Sequence, residues 1–64
     1  MFRLTIETEN AAFGESMETV VDEVTGILRE VAGRIDRGVV GGPIRDTNGN
    51  SVGTYTLTFD EEGE

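Results

Sequence analysis

The sequence predicts an α+β fold in which a single helix packs on one face of a three-stranded antiparallel sheet, with element order β-α-β-β and sheet order 1-3-2. Three patterns predict it: apolar residues at alternate positions from Phe2, an apolar stripe at helical spacing from Val20 to Ile35, and an Asn48-Gly49 turn before a β-branched run. From Phe2 to Glu9 the chain places Phe2, Leu4 and Ile6 on one side and Arg3, Thr5 and Glu7 on the other, as a strand covered on one face requires. Residues 10–15 then form a connection. Phe13 is expected to fold back over an open edge of the core, and Gly14 to turn the backbone ahead of Ser16.

Ser16 is the expected N-cap, its hydroxyl accepting from an amide that the first helical turn leaves orphaned. Glu15, Glu18, Asp22 and Glu23 crowd the end where the macrodipole is positive, Arg34 and Arg37 lie where it is negative, and Gly38 is the stop. Val20, Val24, Ile27, Val31 and Ile35 recur at spacings of four, three, four and four, and Val21 and Leu28 are expected to widen that stripe into a sheet-covering face. Gly26 and Gly33 each cost about 1 kcal/mol relative to Ala in a helix interior. Seven residues apart on one face, they read either as a groove admitting a second backbone or as tolerated surface glycines.

Val39 to Pro43 leads into a short strand around Ile44 and Arg45, and Val52 to Phe59 forms a longer one. Asn48-Gly49 predicts a two-residue type I′ turn. Pairing Thr47 with Asn50 then sets Ile44 opposite Gly53, with Tyr55, Leu57 and Phe59 inward and Thr54, Thr56 and Thr58 outward. A three-residue loop with a bulge at Gly49 would instead pair Ile44 with Val52 and need a second irregularity, for which Gly53 is the candidate. Pro43 removes a ladder donor, which assigns the second strand to an edge. The third strand, β-branched or aromatic at most positions, takes the centre. Residues 1–59 thus read as one domain and 60–64 as an acidic, disordered tail.

At 64 residues the chain lies near the lower limit for folding without staples, and with no Cys and no His neither a disulfide nor a zinc site supplements its packing. Such a chain is one small domain or a subunit of an oligomer, not a multidomain enzyme. It carries 13 acidic and 5 basic residues, a formal charge of −8, with the excess spread over both halves. That field repels nucleic acid and anionic lipid and attracts a partner with a basic surface. The cations are all Arg, which also fits the acidity of a high-GC or halophilic genome. No apolar run approaches the ~20 residues of a spanning helix. The first residues alternate where a signal peptide would be continuously apolar. The expected compartment is the cytoplasm, with which the absence of Cys agrees.

Nucleophilic catalysis needs a Ser, Cys or Lys beside a base, and His, Cys and Lys are absent. Carboxylates are plentiful, but so small a sheet cannot enclose the cleft that would tune one of them for acid/base work. The chain therefore reads as a non-enzyme with no cofactor. Asp46, Asn48 and Asn50 match the first ligand positions of a calcium loop, but Ser51 stands where Gly is required and Leu57 where a bidentate Glu is required, so turn chemistry accounts for the segment. Gly38, Gly41 and Gly42 precede neither a helix nor a Lys, so they make no phosphate loop. The aromatic stock is Tyr55 and three Phe, of which at least three of the four are assigned to the core, leaving no platform for nucleic acid.

Two surfaces remain for binding. One is the outer sheet face carrying Arg3, Thr5, Glu7, Arg45, Thr54, Thr56 and Thr58, either a solvated Thr ladder or a dimer surface. The other is the acidic set Glu15, Glu18, Asp22 and Glu23, which Glu7, Glu9 and residues 60–64 are expected to extend. Helical spacings of three, four and seven hold carboxylates about 5–10 Å apart, an array that imitates the phosphates of a nucleic-acid strand. Its bland alternative is a solvated charged face.

The opening Leu4-Thr-Ile-Glu-Thr-Glu-Asn-Ala-Ala-Phe13, the helix end Ile27-Leu-Arg-Glu-Val-Ala-Gly-Arg-Ile35 and Gly42-Pro-Ile-Arg-Asp-Thr-Asn-Gly-Asn-Ser-Val-Gly53 together resemble small uncharacterised proteins of bacteriophages and other mobile elements. The resemblance is one of layout and turn phrases and transfers no catalytic residue. In size, acidity and layout the chain is also similar to anti-CRISPR proteins, inhibitors directed against Cas nucleases and surveillance complexes. That similarity implies an inhibitor in the host-cell cytoplasm that binds a basic, nucleic-acid-binding surface of a Cas effector subunit. Glu15, Glu18, Asp22 and Glu23 would be its contacts. The alternative is a structural or assembly subunit that forms a homodimer through the exposed sheet face.

Overall fold

The computed structural model describes residues 1–59, so the expected disordered tail at 60–64 lies outside the described residues. In chain order the elements are β1 (Phe2–Ile6), a short 3-10 turn (Ala11–Phe13), α1 (Met17–Asp36), β2 (Gly41–Arg45) and β3 (Ser51–Leu57). The strands form one antiparallel sheet in the order β1-β3-β2, as predicted, with Pro43 on an edge strand and the long β3 at the centre.

β1 leaves the ladder earlier than the alternation predicts. The Glu7 N–H still donates to the Val52 carbonyl at 2.8 Å, after which the chain turns so that Asn10 Oδ1 accepts from the Ala12 N–H at 3.0 Å. This cap sets the 3-10 turn that seats Phe13, which is fully buried as expected. Ser16 then caps α1: its hydroxyl accepts from the Thr19 N–H while the Thr19 hydroxyl oxygen accepts from the Ser16 N–H, a reciprocal capping box that satisfies two orphaned donors.

The core consists of Phe13, Ile27, Val31, Ile44, Val52 and Tyr55, with Leu4, Ile6, Ala12, Val20, Val24 and Ile35 half-buried around it. Val21 and Leu28, expected to widen the buried stripe, are 51% and 45% exposed. Three strands spaced about 4.8 Å apart present a sheet only ~10 Å across, which one helix stripe already covers. Phe2 and Phe59 are likewise exposed, at 49% and 85%, so two of the four aromatics enter the core and not three. Phe59 lies past the last strand pair, and Phe2 sits at the open end of an edge strand.

The hairpin corrects the type I′ expectation. Among the described residues no residue other than glycine has positive φ, so Asn48 cannot supply the first half of such a turn. Instead the Gly49 N–H donates to the Asp46 carbonyl and the Asp46 N–H to the Asn50 carbonyl, both at 2.9 Å, closing a loop of Thr47, Asn48 and Gly49. Gly49 takes φ 85°, which is why glycine stands there. Arg45 pairs with Ser51 and Ile44 with Gly53, leaving Val52 as the extra residue of a bulge. The predicted pairing of Ile44 with Gly53 therefore holds, reached by a longer loop plus a bulge at Val52, not at Gly53. The bulge turns Val52 into the core, where the uninterrupted register would have left it outward. Gly53 lies between Ile6 and Ile44, and a Cβ on it would run into the Thr5 carbonyl oxygen.

Candidate functional site

A helix advances about 100° per residue, so Glu18 and Asp22 stand one above the other on the side of α1 away from the sheet, both exposed. Glu15, also exposed, precedes the cap at the same end. None of the hydrogen bonds among the described residues engages these three carboxylates. Beside them Met17, 75% exposed, and Val21 join Glu18 and Asp22 in lining a shallow depression of about 400 Å³. The acidic patch is thus interleaved with apolar surface, which the charge pattern alone does not reveal. The spacing of Met17, Val21 and Leu28 by four and seven is the signal for it.

Glu23 does not share that free surface. It is half-buried on the flank of α1 facing the hairpin, where its Oε2 accepts from the Thr47 N–H at 2.8 Å and its Oε1 from the Thr47 hydroxyl at 2.7 Å. Its role is to tie the helix to the hairpin loop, a tertiary pairing with no local sequence signal. Glu7 is on the outer face of the sheet, so it does not extend the helix patch either, and residues 60–64 fall outside the described residues. Glu9 lies exposed in the connection after β1.

Asp46 is buried within the hairpin loop. Its Oδ1 accepts from the N–H groups of Asn48 and Asn50 at 2.9 Å each, and its Oδ2 from Asn10 Nδ2 at 2.7 Å. Burial pushes its pKa upward, but donation from the Asn50 backbone, the Asn10 amide and the Asn48 backbone outweighs it and leaves the carboxyl below its ordinary value. The lone pairs that a calcium ion would need are taken up by these donors. Among the described residues no group of three His, Cys, Asp or Glu side chains is placed to hold a metal.

The arginines on this side work inside the fold. The Arg34 guanidinium lies 5.0 Å from the centroid of the Tyr55 ring and donates to the Pro43 carbonyl at 2.9 Å. Gly42 makes room for it, since a Cβ there would stand 3.0 Å from Arg34 Nη2. The Tyr55 hydroxyl donates to the Val39 carbonyl at 2.7 Å, and Arg45 Nη1 to the Gly49 carbonyl at 3.3 Å.

The outer sheet face is uncovered as expected, with Arg3, Thr5, Glu7, Arg45, Thr54, Thr56 and Thr58 all exposed. Thr5 pairs with Thr54 and Arg3 with Thr56 across β1 and β3. Gly26 has no atom within 4 Å of where a Cβ would stand, and Gly33 meets Arg37 Nη1 at 3.4 Å. Among the described residues no helix is long and apolar enough to cross a membrane. No protein-family model, no curated protein and no solved structure matches this chain.

Proposed function

We propose that this chain is a small acidic interaction protein, anti-CRISPR-like in action. It inhibits a host defence protein, such as a Cas effector subunit, by occupying the basic surface on which that protein binds nucleic acid. The observation that carries the reading is the exposed set Glu15, Glu18 and Asp22, unengaged by hydrogen bonds among the described residues, on a chain of charge −8. Desolvating free carboxylates against Arg and Lys on a partner gives charge-assisted bonds and a fast, salt-sensitive association. Glu23 contributes by holding the helix in place. The protein does no chemistry of its own, and it acts in the cytoplasm of the cell whose defence it meets.

The test is displacement. Purified Cas effector subunits loaded with labelled nucleic acid are titrated with the protein at about 0.05 M and about 0.3 M salt. The reading expects release at low salt that weakens at high salt and is lost in the Glu15→Gln, Glu18→Gln, Asp22→Asn triple variant. Release that ignores either salt or neutralisation overturns it, as does no release from any subunit.

A second reading, a non-enzymatic assembly subunit dimerising through the outer sheet face, is favoured by the uncovered Thr5, Thr54 and Thr56 ladder. Light scattering that finds only monomer at micromolar concentration removes it.

A further inference from the structure

β1 is an edge strand, and the phase of its ladder fixes which of its backbone groups are free. The Thr58 N–H donates to the Met1 carbonyl and the Glu7 N–H to the Val52 carbonyl, each at 2.8 Å. Residues 1, 3, 5 and 7 therefore bond toward β3, and Phe2, Leu4 and Ile6 direct their N–H and C=O groups to the open edge. Among the described residues no backbone partner meets those groups. Natural edges are commonly blunted by Pro, a bulge or an inward charge. β2 carries Pro43, whereas β1 has none of these devices, its single charge Arg3 lying on the outer face.

The helix flank turned away from β2 is also bare. Glu23 and Arg34 bond to the hairpin and to β2, which places their flank of α1 over β2. Val21 and Leu28 lie about 140–160° around the helix from Glu23, on the flank turned away from β2. Both are about half exposed, as is Phe2 on the inner face of β1.

We infer that two copies of this chain form a two-fold homodimer by pairing β1 with β1 in antiparallel register about Thr5, giving a six-stranded sheet. In that register Leu4 of each copy exchanges backbone bonds with Ile6 of the other. Arg3 faces Glu7 of the other copy twice, at non-hydrogen-bonded pairs where side chains approach most closely. Centring the pairing on Leu4 would set Arg3 against Thr5 and Glu7 against Met1, so only the register about Thr5 gives each Arg3 a carboxylate directly opposite. A two-fold axis normal to the sheet keeps both helices on one face, with the Val21 and Leu28 flanks turned toward each other. A domain of this size buries only about 60% of its unfolded surface, and oligomerisation is a common supplement. This interface runs along the β1 edge, leaves Thr54, Thr56 and Thr58 on the outer face uncovered, and does not use the carboxylates of the proposed function. It sets two acidic helix faces side by side.

The test is sedimentation of the full chain in about 0.15 M salt, where a Debye length of about 8 Å screens distant carboxylates. The expected result is a dimer at micromolar concentration. A chemically synthesised chain N-methylated at Leu4 loses one outward donor while keeping its side chain and its ladder with β3, and is expected to be a folded monomer by circular dichroism. Arg3→Glu and Glu7→Arg each weaken dimerisation roughly tenfold, and the double variant restores it to within about threefold. A chain monomeric up to about millimolar concentration overturns the inference. So does a dimer indifferent to N-methylation and to the charge exchange.

Discussion

The two flanks of the sheet differ in how firmly the rest of the chain holds them. On the β2 flank, Glu23 reaches from the helix to Thr47, Arg34 lies over Tyr55 and bonds to Pro43, and Asp46 gathers donors from Asn10, Asn48 and Asn50. On the β1 flank, Phe2, Val21 and Leu28 are half exposed and the strand edge is open. Packing alone is shared between the flanks, so the contrast lies in polar ties that span distant parts of the chain. A domain this small rarely has more than roughly 3–5 kcal/mol of net stability. The few bonds on the β2 side thus set the orientation of the helix, while the β1 side is left able to accept something.

The seam between the flanks is Gly53, and the largest effect is expected there. Gly53→Ala drives a Cβ into the Thr5 carbonyl oxygen, which cannot move without parting β1 from β3. Overpacking of this kind costs about 1–3 kcal/mol, and more where backbone must shift, which consumes most of the available stability. The variant should lack the cooperative thermal transition and the dispersed amide spectrum of the parent; a folded variant with an unchanged melting temperature would contradict the register. The next effect belongs to Asp46. Because its pKa is depressed in the folded state, it contributes stability that is fully present above the ordinary carboxylate value of about 3.9 and is lost as pH falls through the folded value. Denaturant midpoints measured downward from pH 5 should fall more steeply for the parent than for Asp46→Asn. Parallel profiles would show that the carboxylate adds nothing to holding the loop.

The β2 flank was only half legible in the sequence, and the reason is range. Ser16 as cap, Phe13 as the returning plug and Pro43 as an edge residue were readable because each acts through its own backbone or an apolar pattern. The pairing of Ile44 with Gly53 was readable although its cause was not, since a bulge at Val52 compensates for a third loop residue. Asp46 with Asn10, and Glu23 with Thr47, join positions far apart in the chain whose side chains are ordinary surface types. No periodicity marks such pairs. Of the candidate acidic set, Glu15, Glu18 and Asp22 face solvent as the helical spacing required. Glu23 is drawn away because Thr47 lies on the other flank. Val21 and Leu28 misled for a related reason: apolar character states what can be buried, and the width of a three-stranded sheet decides how much is.

The smallest effects come from matched substitutions on the two sides of the helix, and they test the contrast most directly. Glu23→Gln keeps the size and one acceptor of the side chain but replaces a charge-assisted tie to Thr47 with a neutral one. A loss of about 0.5–1 kcal/mol is expected, at the low end of hydrogen-bond contributions because the site is only half-buried. Val21→Thr, nearly isosteric and on the opposite flank, should change the stability of the monomer by less than about 0.5 kcal/mol. Urea melts at low micromolar and high concentration separate the cases. Glu23→Gln shifts both melts by the same amount, because its bond lies within one chain. Val21→Thr leaves the dilute melt in place and moves the concentrated one if the β1 flanks meet across a dimer. Equal shifts for the two variants under dilute conditions would mean that the flanks are held alike, and that the polar ties on the β2 side add nothing beyond the core they surround.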